Sequence, residues 1–152
     1  MVSTLDFPDF NNFQPKTQKA IQKWNELADE LNHRAVPSEI SVQINELIHE
    51  VSASGEERKV RKKIRSAIYK TLQLIQKELK WVPQSHYQNM WLALGMSAFG
   101  IPIGVALSAS LDNSGLIGIG LPIGLAIGLA VGKSMDGKAR KEGNQLNFKQ
   151  SL

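Results

Sequence analysis

The sequence predicts an all-α protein: an N-terminal three-helix soluble domain followed by a two-helix transmembrane hairpin with Gly-xxx-Gly stripes. Three observations predict it. Between Met90 and Gly132 the only charged side chain is Asp112, which divides two charge-free apolar runs, Met90–Leu111 and Asn113–Gly132. Each run is about 20 residues and, as a helix rising about 1.5 Å per residue, reaches roughly 30 Å, the thickness of a bilayer's hydrocarbon core. The residues before these runs carry three successive amphipathic helical patterns, punctuated by Pro and Gly. Charge is also segregated along the chain. Residues 1–57 hold 4 basic and 10 acidic side chains, whereas residues 58–80 hold 9 basic and 1 acidic, and residues 133–152 hold 5 basic and 2 acidic.

Taken in order, residues 1–14 mix Phe, Pro, Asn and Asp and read as an irregular arm docked through Phe7, Phe10 and Phe13. They carry no basic or apolar leader region, so no cleaved signal peptide is expected. Residues 15–82 form the helical domain. Pro15 suits the first turn of a helix, and Ile21, Trp24, Leu27, Ala28 and Leu31 then keep helical spacing to about His33–Arg34. Pro37 and Ser38 open a second helix with Ile40, Ile44, Leu47, Ile48 and Val51 on one face, ending at Ser52–Gly55 with Gly55 as its C′ residue. Glu56 and Glu57 favour the start of a third helix. Its apolar line is Val60, Ile64, Ala67, Ile68, Leu72, Ile75 and Leu79, and Pro83 closes it after about Trp81. The transmembrane hairpin spans 88–133, with a tight polar turn at Asp112-Asn113-Ser114-Gly115. Residues 134–152 read as a basic tail that extends the second helix and loosens after about Gly143.

The two apolar runs repeat each other at an offset of 20. Each carries Gly-x-Pro-x-Gly followed by small residues at every fourth position. Gly100, Gly104 and Ser108 share one helix face, as do Gly120, Gly124, Gly128 and Gly132. In a water-soluble helix each such glycine costs about 0.8–1.0 kcal/mol relative to Ala, so a run of four demands a compensating close approach. Small-xxx-small faces permit that approach between helices in lipid. The stripe suits either the two helices of one hairpin or neighbouring subunits. Pro102 and Pro122 read either as matched hinges that shape a lumen or as static kinks, with a late start of the second helix as a further option.

These residues resemble the bacterial glycine-zipper transmembrane hairpin proteins, a group that includes channel-forming and bacteriocin-like members. The resemblance covers about residues 90–145 and implies close helix packing. It implies no catalytic residue, because zipper residues pack and do not react.

Both flanks of the hairpin are basic and its turn is not. The positive-inside rule therefore places both termini in the cytoplasm and Asp112 outside, in a bacterial inner or plasma membrane. Trp81, Tyr87 and Trp91 precede the first span and suit a headgroup belt, their alternative being ordinary core packing. The basic run Arg58, Lys59, Arg61, Lys62, Lys63 and Arg65 is the strongest polar feature. It reads as a solvated face that sets topology, as a contact for anionic lipid headgroups, or as a contact for an acidic partner. Nucleic acid is not expected, since no aromatic residues or reader fold accompany the basic run.

Other chemical signals are weak. Gly128-Leu-Ala-Val-Gly132-Lys133-Ser134 has three residues between its glycines where a P-loop needs four. Glu46 and His49 have di-iron spacing in one copy only. Cysteine is absent. No enzyme activity, metal or cofactor is expected. The expected function is that of a self-associating membrane protein forming a pore- or channel-like homo-oligomer under a cytosolic helical control domain. A ring of Asp112 carboxylates would then favour cations at its outer mouth. The alternative is a membrane-anchored adaptor whose residues 15–81 bind a protein partner. A third arrangement keeps the Gly-rich segment packed inside a soluble helical protein.

Overall fold

The computed structural model describes residues 1–8, 10–52 and 56–150. It is mostly helical, and the chain divides into two compact units. One is formed by Met1–Val82 together with the chain from Leu146 onward. The other is Pro83–Gln145.

The first unit contains α1 (Pro15–His33), α2 (Ser38–Ser52) and α3 (Glu57–Leu79). Pro15 occupies the first turn of α1, where its missing N–H would have had no partner. The apolar side chains at helical spacing turn inward: Ile21, Trp24, Leu27 and Leu31 from α1, Ile44 and Val51 from α2, and Ile64, Ile68 and Ile75 from α3 are all buried. α1 and α2 each pack against α3. α3 stops at Leu79, two residues before the expected Trp81, because Lys80 turns into the left-handed region with φ 60°. The expected C′ role of Gly55 lies outside the described residues.

The N-terminal arm is held more firmly than its composition suggests. Val2 and Leu5 are buried in the core, and Phe7, Phe10 and Phe13 pack partly buried against it. Three asparagines grip the arm's backbone. Asn32 accepts from the Val2 N–H at 2.7 Å and donates to the Val2 carbonyl at 3.0 Å. Asn25 does the same to Leu5 at 2.8 and 3.0 Å. Asn45 accepts from Ser3 at 2.8 Å and donates to the Met1 carbonyl at 3.0 Å. The Trp24 indole N–H donates to the Ser3 carbonyl at 2.9 Å. These side-chain amides satisfy backbone groups that belong to no helix or strand.

Two short strands, β1 (Val82–Gln84) and β2 (Gln145–Lys149), pair as a two-stranded sheet, a feature absent from the all-α expectation. The expectation that the chain loosens after Gly143 is corrected here. Leu146 and Phe148 are buried in the core of the first unit. Alternation along β2 puts these two inward and Asn147 and Lys149 outward.

The second unit contains two continuous helices, α4 (His86–Ser110) and α5 (Ser114–Lys141), each long and apolar enough to cross a membrane. Asp112, at φ 46°, makes the reversal between them. Asn113 then caps the opening turn of α5, its side-chain oxygen accepting from the Gly115 N–H at 3.0 Å.

Candidate functional site

α4 and α5 run antiparallel and meet along their glycines. A methyl group on Gly120 would strike the backbone of Gly100 and Gly104, and one on Gly124 would strike Gly95 and Gly100. One on Gly128 would strike Trp91, and one on Gly132 would strike Gln88 and Tyr87. On the facing helix, a methyl on Gly104 would strike Ile117. At every one of these positions the nearest backbone atom lies closer than 3.0 Å to the added carbon, a separation real side chains do not adopt. Gly100 is slightly less tight, 3.1 Å from the Gly120 carbonyl. Ser108 lies past this contact, half-buried, its carbonyl accepting from the Asn113 N–H at 3.1 Å.

Gly95 is the member that periodicity hides. It stands five residues before Gly100, so a regular helix would rotate it off the shared face. α4 makes a π-helical stretch over Gly95–Gly100, which takes up the additional residue and returns Gly95 to the contact with Gly124 and Gly128. Pro102 follows directly. Its ring crowds the carbonyl four residues back, so a widened turn before it is the expected local solution. Pro122 lies within α5 with the open Gly118 four residues before it.

The outer surface of the pair has the reverse composition. Glycines 95, 100, 104, 120, 124, 128 and 132 are buried, while Met90, Leu94, Phe99, Ile101, Val105, Ile117, Ile119, Leu121 and Leu125 are exposed. A second series of small residues also faces outward at intervals of four: Ala98, Pro102, Ala106 and Ser110 on α4, and Gly118, Pro122, Ala126 and Ala130 on α5. A methyl on Gly118 would meet nothing within 4 Å.

At the open end of the hairpin the stripe on α5 continues from Gly132 to Asp136, which is only 9% exposed. Its carboxylate accepts from the Tyr87 N–H at 3.0 Å and the Gln88 N–H at 2.9 Å. These are free amides in the first turn of α4, and Ser85, just before that turn, makes no capping bond. Asp136 thus caps a helix 48 residues away in sequence, and its charge meets the positive end of that helix's dipole. Asp136→Ala is expected to cost about 2 kcal/mol from two lost charge-assisted bonds, with Asp136→Asn closer to wild type. Thermal unfolding in detergent compares the two, and equal stability of Asp136→Ala and wild type would dismiss the cap.

Asp112 is exposed at the reversal. Trp81 is half-buried against the core of the first unit, with the Arg34 guanidinium 5.3 Å above its ring. Tyr87 stacks edge-on with His86 at 5.1 Å, and Trp91 offers its backbone to Gly128. On α3, Lys59 pairs with Glu56 at 2.8 Å and Lys63 donates to the Glu50 carbonyl at 2.8 Å. Arg58, Arg61, Lys62 and Arg65 meet no carboxylate among the described residues.

Comparison with protein-family models, with curated proteins and with solved structures finds no match to this chain, so its own geometry carries the functional reading.

Proposed function

We propose that this chain is an integral membrane protein whose α4–α5 hairpin crosses the bilayer as a preformed pair and self-associates into a channel-like homo-oligomer. One observation carries the membrane reading: the pair buries glycine and exposes its large aliphatic and aromatic side chains. Soluble monomers rarely leave contiguous apolar patches above a few hundred Å² in water. In lipid the same arrangement is the favourable one, because Leu and Ile face acyl chains while bare backbones gain dispersion contacts with each other. The basic flanks favour both termini on the cytoplasmic side. Exposed Arg58 and Lys62 suit anionic headgroups, at about 1 kcal/mol per residue near the surface.

The outward series of small residues supports self-association. The glycine stripe is occupied within the hairpin, so a second copy would dock on Ala98, Ala106, Ala126 and Ala130 instead. Alkaline carbonate extraction tests the first part: the protein is expected to stay with the membrane, and its release would refute insertion. The second part is tested by electron microscopy in mild detergent and by dye leakage from liposomes. Ala106→Leu with Ala126→Leu is expected to dissociate the assembly and seal the vesicles. Monomers and tight vesicles for the wild type would refute the channel.

The adaptor reading is favoured by a separate observation. Over Met90–Leu111 and Asn113–Gly132 the helices carry no charged side chain that would line a lumen. In that case the hairpin anchors, and the helical unit recruits a protein partner. Its test requires the full chain, because a fragment ending near residue 85 would lack the buried Leu146 and Phe148.

A further inference from the structure

We infer that the cleft between α1 and α3 is a binding site for a phosphate-bearing ligand. The cleft measures about 580 Å³ and is lined by Lys16, Lys19, Lys23, Glu26, Arg61 and Arg65, with Ala20 at its base. That volume falls within the range of small-molecule sites. Five cations thus surround one carboxylate. Glu26 is already engaged, paired with Lys23 at 2.7 Å, and the Lys23 ammonium also stands 4.8 Å over the Phe148 ring. Lys16, Lys19, Arg61 and Arg65 have no acidic partner among the described residues.

Helix geometry explains the convergence. Lys16, Lys19 and Lys23 recur at three- and four-residue steps on one face of α1, and Arg61 and Arg65 do so on α3. The two helices pack together. Ala20 is buried between the lysines and has too short a side chain to fill the space. Four cations with no acidic partner among the described residues repel one another along one cleft, and a dianion relieves that repulsion. A phosphate monoester has the charge, and its oxygens match the guanidinium fork, which bonds in pairs where an ammonium makes a point contact. The chemistry is shared by a phosphomonoester lipid headgroup and a soluble polyphosphate. The site lies wholly within the first unit and does not depend on membrane insertion of the second.

Calorimetric titration of the full chain in uncharged detergent tests this, with inorganic pyrophosphate and short-chain phosphatidic acid as probes. Saturable binding of at least one probe is expected. Lys19→Gln with Arg61→Gln should weaken it about tenfold or more, as expected for lost charged hydrogen bonds. Lys70→Gln with Lys77→Gln removes the same charge from α3 outside the cleft and should change affinity less than about threefold, the size of a screened surface effect. Tighter binding of pyrophosphate identifies a soluble phosphate ligand, and tighter binding of phosphatidic acid identifies a headgroup; either supports the site. Absence of saturable binding by both probes overturns it. So does equal weakening by the two double variants, which would mean diffuse attraction to the α3 surface.

Discussion

Gly120→Ala is expected to destabilise the hairpin, and Gly118→Ala, two residues away on the same helix, is expected to stabilise it. Intrinsic propensity alone favours both substitutions by about 0.8–1.0 kcal/mol. The two sites differ only in what a methyl group would meet. At Gly118 it meets nothing within 4 Å. At Gly120 it meets the Gly100 carbonyl and the Gly104 backbone, neither of which can rotate away as a side-chain tip would. Overpacking of this kind costs about 1–3 kcal/mol and here outweighs the propensity gain. Gly124→Leu should be worse, because its branched side chain would enter the backbone of Gly95 and Gly100. Thermal unfolding in detergent, followed by circular dichroism, reads all three. If Gly120→Ala raised Tm as Gly118→Ala does, the helices would not be in backbone contact at that level.

Phe148→Ala is expected to destabilise the first unit strongly. The ring is 2% exposed, and Leu146, two residues earlier, is fully buried in the same core. Emptying a buried phenylalanine site costs about 3–5 kcal/mol. Lys149→Ala, one position on and facing outward, should stay within about 0.5 kcal/mol of wild type. Urea unfolding of the full chain measures both, with tryptophan fluorescence reporting the summed surroundings of Trp24, Trp81 and Trp91. Matching midpoints for Phe148→Ala and wild type would contradict the place of β2 in the core.

The elements that local periodicity could announce are those the sequence made legible. α1 and α2 begin where Pro15 and Ser38 suggest, and the Asp112–Gly115 turn joins two long apolar helices. The features that local pattern does not announce depend on contacts distant in sequence or on departures from regular spacing. Gly95 is off-register until a π-turn absorbs one residue. Asp136 looks like part of a polar tail, and only the approach of α4 reveals two amides waiting for its carboxylate. Leu146 and Phe148 alternate over too few residues to announce a strand, and their burial requires a core built mostly from residues 20–75. Asn25, Asn32 and Asn45 look like surface residues of amphipathic helices until the arm lies across them. The basic run on α3 was visible, but the lysines of α1 that complete the cleft opposite it were not.

The first unit is discontinuous, and this orders events during biosynthesis. The ribosome makes three helices, then the whole hairpin, and only afterwards the strand that supplies Leu146 and Phe148. Until that strand emerges, the nascent helical layer has a gap where two side chains belong. The α4–α5 pair is therefore complete before the first unit can close, and the amino-terminal half stays unsealed until β2 is made.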